Sequence, residues 1–254
     1  MMLCVLRMII NVNNKPKILV SICNYNHNIF LKESIESIQD QSYDNLDICI
    51  YDDGSDNKDE FNDIISSLRK DERIRVISSK ENKGKWFGLN QSILSTDALI
   101  CTAHDADDIS LTDRIQRQIS AMIATKSFHN LCGFYHCWHE EDVQSKRNLR
   151  IQDDKLNVID QKTVYNLVMQ GFNHPNVNHY FTGNFETAGV TSMFYRQIWQ
   201  QGVRFNPPKL GLRTLLSEDS DFNFRMTNLL NNTSILAEQL YLYRRDTSTN
   251  REEI

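Results

Sequence analysis

Three aspartates fall within four positions of the sequence, at Asp105, Asp107 and Asp108. They follow an apolar run and precede an amphipathic segment, so they stand at the end of what the pattern indicates is a buried strand. Carboxylates so close together repel one another unless a cation, a helix N-terminus or solvent offsets their charge. A second acidic pair, Asp52 and Asp53, follows another apolar run. This arrangement is typical of a site for a divalent cation and a polar ligand.

The segments that must position these acids alternate between strand and helix. Short apolar runs rich in β-branched residues predict strands, and apolar residues three or four positions apart predict the helices between them. After the first strand, for example, Leu31, Ile35 and Ile38 form one apolar face. Four such units within about 110 residues predict an α/β fold with a mostly parallel central sheet and helices on both faces. The predicted strands cover 17–22, 46–53, 73–79 and 98–103, and the predicted helices cover 30–39, 61–70, 84–94 and 110–122.

Each acidic cluster also has a simpler interpretation. Residues 52–56 could form only a turn, and Asp108 could support the start of the next helix, where Ser110 and Asp113 resemble a capping box. However, the carboxyl ends of parallel strands meet at one edge of the sheet, where ligands bind in such folds. Two acidic strand ends at that edge favour a site for a metal ion and its ligand.

A bound phosphate would need side chains and a divalent ion to neutralise it. Neither a G-x-G-x-x-G nor a G-x-x-x-x-G-K-[ST] phosphate loop is present. Aspartates suit Mg²⁺ or Mn²⁺, which leave coordination positions open for phosphate oxygens. The expected cofactor is therefore Mn²⁺ or Mg²⁺.

The order of these motifs resembles the family 2 glycosyltransferases, which have the GT-A type nucleotide-diphospho-sugar transferase fold. The resemblance is nearly continuous over 17–125 and patchier over 185–245. Its pieces are a strand ending in Tyr25-Asn26, a helix running into Gln41-Ser42-Tyr43, a strand ending in Asp52-Asp53-Gly54-Ser55, and the segments "ENKGKWFGLNQSI", "DADD", "GVTSMFYRQIW" and "SEDSDFNFRM".

The resemblance implies a role for each matching residue. Asp52 would accept a hydrogen bond from a uracil ring. Asp105 would face the ribose and the metal, and Asp107 would bind the metal that bridges to the diphosphate. Lys83 or Lys85 could assist in neutralising the diphosphate. The implied nucleotide-binding residues are Ser21, Asn24, Tyr25, Asp52, Lys83 and Asp105.

An inverting transfer also needs a base that takes the proton of the acceptor hydroxyl. Helical periodicity places Glu218 and Asp219 within about 60° of the apolar face of their helix, so both project towards the protein. The simpler interpretation is that they only favour the helix dipole behind an N-cap at Ser217. The resemblance makes Asp219 the implied base and Glu218 the alternative. The apolar face is formed by Phe222, Met226 and Leu229, with Asp221 and Arg225 spaced to pair on its flank.

The last expected metal ligand departs from the family pattern. Many members carry a histidine shortly after a late Tyr-Arg, and Asp246 stands there in this chain. Asp246 can bind a metal, but it could equally pair with Arg244 or Arg245. The segment "CGFYHCWHEED" offers cysteines and histidines as well, but in a strand their side chains alternate between faces. We therefore expect no zinc site there. We expect this segment to form a strand beside the acceptor site.

Composition excludes several classes of function. The net charge of −5 and the absence of a basic stripe argue against nucleic-acid binding. The six cysteines are scattered, which favours a reducing compartment. The apolar start "MMLCVLRMII" is too short to span a membrane and is a poor signal peptide. A cytoplasmic location, with peripheral association at the inner membrane face left open, is therefore expected.

The expected parts of the chain are an extension (1–15), a nucleotide-sugar half (16–125), an acceptor and catalytic half (126–246) and a tail (247–254).

These inferences converge on one expected function. The resemblance implies an inverting, metal-dependent glycosyltransferase that moves a hexose or N-acetylhexosamine from a nucleotide sugar, with UDP-sugars favoured. The acceptor would be a glycan or glycolipid hydroxyl in polysaccharide, capsule or lipopolysaccharide synthesis. Two alternatives remain: an inactive nucleotide-sugar-binding module, and a Mg²⁺-dependent phosphohydrolase. The second is disfavoured because its Asp-x-Asp motif would follow the first strand, not the fourth.

Overall fold

The computed structural model describes residues 15–159, 179–181, 186–210, 215–230 and 232–245. Over 15–125 each predicted strand is present, with ends that shift by a few residues. The strands are β1 (Ile18–Asn24), β2 (Leu46–Asp52), β3 (Ile74–Ser78), β4 (Ile100–Asp105), β5 (Ile109–Ser110), β6 (His129–Cys137), β7 (Val158–Ile159), β8 (His179–Phe181), β9 (Glu186–Ala188), β10 (Met193–Tyr195), β11 (Lys209–Leu210), β12 (Leu215–Leu216) and β13 (Thr233–Arg244).

The helices of the described residues fill the predicted intervals between the first strands and follow β6, β10 and β12. Leu31, Ile35 and Ile38 of the first helix are fully buried, as their spacing predicts. The helices are α1 (Asn28–Gln39), α2 (Lys58–Ser67), α3 (Lys85–Leu94), α4 (Arg114–Thr125), α5 (Glu140–Lys146), α6 (Arg196–Gln200) and α7 (Glu218–Leu230), with a 3₁₀ turn at Gly189–Thr191.

The main sheet is mostly parallel, as predicted. Its strand order is β3-β2-β1-β4-β10-β6-β13-β5. The first four strands run parallel, and β6 runs parallel to β13, while β10 lies antiparallel between β4 and β6. The carboxyl ends of β1, β2, β4, β6 and β13 therefore lie along the same edge of the sheet.

The chain reverses its path across the sheet after β3. It moves outward from β1 to β3, then returns past β1 to form β4. Because strand–helix–strand crossovers are right-handed, α1 and α2 pack on one face and α3 on the other. The contacts of α1 with α2, and of α3 with α7, agree with this division. The reversal makes the ends of β1 and β4 a switch point, where ligands bind in open α/β sheets.

The start of α4 differs from the sequence prediction. Ser110 and Asp113 do not form a capping box, since α4 begins at Arg114 and Asp113 caps it with no side-chain hydrogen bond. Ser110 lies in β5 and is paired with Tyr241 of β13. Its hydroxyl accepts a hydrogen bond from the Arg114 guanidinium at 2.8 Å. Strand pairing with β13 therefore overrides the local helix-start signal.

A buried histidine with neutral partners begins β6. His129 is fully buried. Its Nδ1 lies 3.0 Å from the Thr233 hydroxyl, and its Nε2 lies 2.9 Å from the Ser192 hydroxyl and 3.0 Å from the Asn223 side-chain oxygen. Burial lowers the pKa of His129 from 6.5 to about 4, because the charged imidazolium would lose its hydration.

We expect His129 to weaken folding in acid. The unfolded chain takes up this proton near pH 6.5 and the folded chain only near pH 4, so the free energy of unfolding falls as the pH drops through that window. The full difference corresponds to about 3 kcal/mol. Urea unfolding across the window should therefore show a steeper loss of stability for wild type than for His129→Gln. Buried carboxyl groups act with the opposite sign, so the comparison with the variant is the measurement, and equal slopes would contradict the prediction.

Within the described ranges, none of the helices combines the length and the hydropathy needed to cross a bilayer.

Candidate active site

The two acidic clusters share the switch-point edge of the sheet. Asn24, at the end of β1, pairs in register with Asp52 at the end of β2. The turn 105–108, named the aspartate turn below, leaves the end of β4 beside them. Potential ligand atoms of Asp105, Asp107 and Asp108 lie within 4.8 Å of one another. The structure thus brings the predicted metal-binding pair, Asp105 and Asp107, together.

The end of β13 holds the aspartate turn in place. The Arg244 backbone N–H donates to an Asp108 carboxylate oxygen at 2.8 Å, and the Arg244 guanidinium donates to the Asp107 carbonyl at 2.7 Å. The Asp105 N–H donates to the Tyr241 hydroxyl at 3.1 Å. These contacts cross more than 130 positions of sequence, so sequence periodicity gave no sign of them.

Asp108 differs from its two neighbours because it is fully buried. Burial, followed by the charges of Asp107 and Asp105, raises the pKa of Asp108 well above its ordinary value. Its second carboxylate oxygen has no hydrogen-bond partner among the residues that the structure describes. Asp108 is therefore buried beneath the turn, and it does not support a helix start at Ser110, because α4 begins at Arg114.

The Lys85 side chain pairs with a carboxylate of the aspartate turn. Its Nζ lies 2.5 Å from Asp105 and 3.6 Å from Glu218. Burial alone would lower the pKa of Lys85, but the charges of Asp105, Glu218 and Asp219 outweigh it and raise the pKa well above the ordinary value. One ammonium group therefore joins the end of β4 to the start of α7.

Lys83 points away from this group. Its Nζ lies 3.4 Å from Glu81 and 5.1 Å from the centre of the Phe87 ring, and 41% of the side chain is exposed. The Lys83 backbone N–H donates a hydrogen bond to Asp53 at 2.9 Å. Of the two lysines that the sequence left open, the structure brings Lys85 to the acids.

The start of α7 directs two acids towards the protein, as the periodicity predicts. Glu218 approaches Lys85, and burial raises the pKa of Glu218 although the charge of Lys85 opposes the shift. Asp219 accepts a hydrogen bond from the Ser220 N–H at 2.7 Å and another from the Ser217 hydroxyl. Its other oxygen faces the 3₁₀ turn.

Gly189 makes room for Asp219. A Cβ atom added at Gly189 would lie 2.7 Å from Asp219 Oδ2, closer than such contacts ever are. The Gly189 carbonyl also accepts a hydrogen bond from Asn223 of α7 at 2.8 Å. The missing side chain at this position therefore sets how close the candidate base lies to the 3₁₀ turn.

The apolar face of α7 was assigned partly wrongly. Phe222 and Met226 are fully buried, but Leu229 is 67% exposed. Asp221 and Arg225 pair at 2.8 Å, as their spacing predicts.

The predicted nucleotide-binding residues are largely engaged within the protein. Asp52 is fully buried, accepts from the Ser55 N–H at 3.3 Å and pairs with Lys58. Asn24 is also buried and donates to Asn28 at 3.0 Å. Ser21 lies within β1 and is buried, whereas Tyr25 follows the strand and is part-exposed. The contacts of these residues with a nucleotide stay predictions.

His27 belongs to the site but was not anticipated. Its Nδ1 lies 3.5 Å from an Asp107 carboxylate oxygen. A histidine in the turn between β1 and α1 is part of no periodic pattern. The pairing of β1 with β4 brings its side chain close to Asp107.

Some predicted residues and segments lie outside the described residues. They are Asp246, the C-terminal tail and the N-terminal extension except for Lys15. Around Cys132 and His136, the described part of the chain brings no three potential metal ligands together.

Residues 19–197, more than half of the chain, match the sequence model of Glycosyl transferase family 2. The chain belongs to this family. The resemblance seen in the sequence is therefore confirmed.

Relatives named as glycosyltransferases match less than half of the chain. An uncharacterised glycosyltransferase of Haemophilus influenzae is 36% identical over 107 residues, which are 42% of this chain and 33% of that protein. TuaG of Bacillus subtilis, assigned by name to teichuronic acid biosynthesis, is 28% identical over 123 residues, 48% of either chain. The match therefore spans less than half of each of these relatives.

Solved structures of other transferases share the fold at low identity. TarS of S. aureus, residues 1–349 in complex with UDP-GlcNAc, has a TM-score of 0.61 at 15% identity, covering 91% of this chain and 59% of those TarS residues. The mannosyltransferase PcManGT of Pyrobaculum calidifontis, in complex with GDP-Man and Mn²⁺, has a TM-score of 0.57 at 13% identity, covering 94% of this chain and 59% of that one. The predicted GT-A type fold is confirmed.

Proposed function

We propose that the chain is an inverting, metal-dependent glycosyltransferase that moves one sugar from a nucleotide sugar to a hydroxyl of a glycan or glycolipid acceptor. One observation carries the proposal. Lys85 lies between Asp105 at the end of β4 and Glu218 at the start of α7. The lysine proposed to neutralise the diphosphate and the helix start proposed to supply the base therefore face one another at the switch point of a glycosyltransferase fold.

The aspartate turn fits a divalent cation. Asp105 and Asp107 offer hard oxygen ligands close enough together to share one ion, of the kind that Mg²⁺ and Mn²⁺ prefer. A bound ion would offset the negative charge that grows on the leaving nucleoside diphosphate. Asp246 is proposed as a further ligand.

The residues of the chain divide the remaining work. The Lys85 ammonium adds a fixed positive charge beside the leaving diphosphate. Asp219 takes the proton of the acceptor hydroxyl as that oxygen attacks the sugar. Glu218, which shares the approach to Lys85, is the alternative base. Tyr25 and Asp52, with Ser21 and Asn24 behind them, are proposed to line the nucleotide.

The donor is proposed to be a UDP-sugar, with a hexose or N-acetylhexosamine as the sugar. TarS was crystallised with UDP-GlcNAc and PcManGT with GDP-Man, so a nucleotide sugar fits this fold. Residues 16–125 would form the donor half and 126–246 the acceptor half. The name of TuaG supports an acceptor in polysaccharide synthesis.

The proposal is tested by nucleotide release. The purified protein is incubated with a panel of UDP-, GDP- and other nucleotide sugars in Mn²⁺, and slow hydrolysis is read as free nucleotide. Release from one donor class supports the proposal. Tight binding without release would instead indicate an inactive binding module, and neither binding nor release from any donor would overturn the proposal.

Lys85→Met is expected to lower the turnover of the released donor about a hundredfold. Methionine keeps the length of the side chain but leaves Asp105 and Glu218 facing each other without a cation. Lys83→Met is the matched control and should stay near wild type, because the Lys83 side chain pairs with Glu81 on the surface. Steady-state nucleotide release measures both variants. Equal losses in the two would contradict the role assigned to Lys85.

A further inference from the structure

The carboxyl ends of β6 and β13 carry aromatic and basic side chains beside the aspartate turn. His136, Trp138, Tyr243 and Arg245 are named the rim patch. Tyr243 pairs in register with His136 across the two parallel strands, and the Arg245 N–H donates to the Cys137 carbonyl at 2.9 Å. Since these strands point the same way as β4, the rim patch lies along the edge that holds the aspartate turn.

Trp138 presents a flat apolar face to solvent. It is 54% exposed, the most exposed of the three tryptophans of the chain. Its ring is stacked on that of His136, with centres 6.2 Å apart and planes 27° apart. The C–H face of a pyranose ring stacks on such a surface, and an exposed apolar face beside a candidate site indicates binding.

Arg245 has no carboxylate partner among the residues that the structure describes. Its Nε donates to His136 Nδ1 at 2.8 Å. Its guanidinium lies 4.8 Å from the centre of the Tyr243 ring and 5.4 Å from that of Trp138. Among the described residues, the partners of Arg245 are thus an imidazole and two aromatic rings, and a guanidinium binds carboxylate or phosphate in a bidentate manner.

The neighbouring arginine shows the opposite arrangement. Arg244 is almost fully buried and pairs with Glu33 at 2.6 Å and with Glu140 at 3.3 Å. Asp142 accepts from the Trp138 N–H at 2.9 Å and approaches Lys146 at 3.6 Å. Glu140 and Asp142 are thus paired with other groups.

Tyr243 connects the rim patch to the aspartate turn. Burial raises the pKa of Tyr243 to about 12, and the charges of Asp105 and Asp108 add to the shift. The Tyr243 ring lies against the Arg245 guanidinium, and Arg244, which stands between these two residues, donates to Asp107 and Asp108 of the aspartate turn.

We propose that the rim patch is a subsite for an acceptor sugar that carries an anionic group. The sugar stacks on Trp138, and Arg245 binds its carboxylate or phosphate. The inference rests on the proposed function, because it assigns to the acceptor the edge beside the donor site.

The test measures the binding of three small glycosides to the full chain saturated with UDP and Mn²⁺. Methyl glucuronide and methyl glucoside 6-phosphate are the anionic probes, and methyl glucoside is the neutral one. Saturation-transfer NMR titration gives each Kd. We expect at least one anionic probe to bind about tenfold more tightly than the neutral probe, and the better of the two identifies the anion as carboxylate or phosphate.

Variants assign this preference to the rim patch. Arg245→Gln should remove the difference between anionic and neutral probes, and Arg245→Lys should restore part of it. Trp138→Ala should weaken all probes that bind, whereas Arg69→Gln, which removes an exposed arginine elsewhere, should change nothing. Equal binding of the three probes by wild type, or a preference retained in both Arg245 variants, would overturn the inference. UDP titrated into each protein before the probes are added separates the two proposals: if UDP binds and no preference appears, only this inference fails.

Discussion

Asp219→Asn is expected to lower sugar transfer roughly a hundredfold to ten-thousandfold while donor binding stays near wild type. Asparagine matches the size of aspartate and can still accept the hydrogen bond from the Ser220 N–H, so the start of α7 should keep its geometry. The amide cannot take a proton from the acceptor hydroxyl. Transfer measured with an acceptor, beside UDP affinity measured by calorimetry, separates the two effects.

Three further variants make this prediction specific. Asp221→Asn removes an acid from the same helical turn, but Asp221 pairs with Arg225, so transfer should change little. Gly189→Ala keeps every acid and forces Asp219 to move, because the added methyl would lie 2.7 Å from its carboxylate oxygen. It should lower transfer by less than Asp219→Asn. If Glu218→Gln abolishes transfer and Asp219→Asn does not, Glu218 is the base.

Local sequence patterns predicted the strands, the helices and the direction of side chains on a helix, because these follow the periodicity of the backbone. The alternation of strands and helices gave the parallel half of the sheet, and the spacing of α7 gave the inward direction of Glu218 and Asp219. The same reasoning misplaced Leu229 because the apolar stripe continues from Met226 to Leu230, which packs against the core, and leaves Leu229 exposed. It also placed Ser110 in a helix start, since strand pairing with β13 is not visible in a local window.

The electrostatics of the site could not be read from the chain in the same way. The sequence pattern does not distinguish Lys83 from Lys85. In the structure α3 begins at Lys85, and the Lys85 side chain lies beside Asp105. His27 reaches Asp107 because β1 pairs with β4, and Tyr241 reaches Asp105 because β13 pairs with β5. Such contacts depend on topology, which makes neighbours of residues that are far apart in the sequence.

Asp107→Asn is expected to weaken Mn²⁺-dependent binding of UDP by more than about a hundredfold. Asparagine replaces the charged Asp107 carboxylate, which lies beside His27, with a neutral amide. Substitutions of residues that only surround a metal ligand already lower metal affinity about ten- to a hundredfold. Calorimetric titration of UDP in Mn²⁺ measures the loss. Wild type stripped of metal with a chelator should bind UDP as weakly as the variant does.

The other aspartates of the turn supply the matched comparison. Asp108→Asn leaves an oxygen that can accept the Arg244 N–H, and the side chain is buried beneath the turn, so UDP binding should change by only a few-fold. Asp105→Asn removes both a proposed ligand and the partner of Lys85, and its loss should approach that of Asp107→Asn. Undiminished Mn²⁺-dependent binding in Asp107→Asn would remove Asp107 from the metal site. Equal losses in all three would mean that the cluster acts through its summed charge, since a carboxylate that holds the turn and a carboxylate that holds the ion must respond differently to the same substitution.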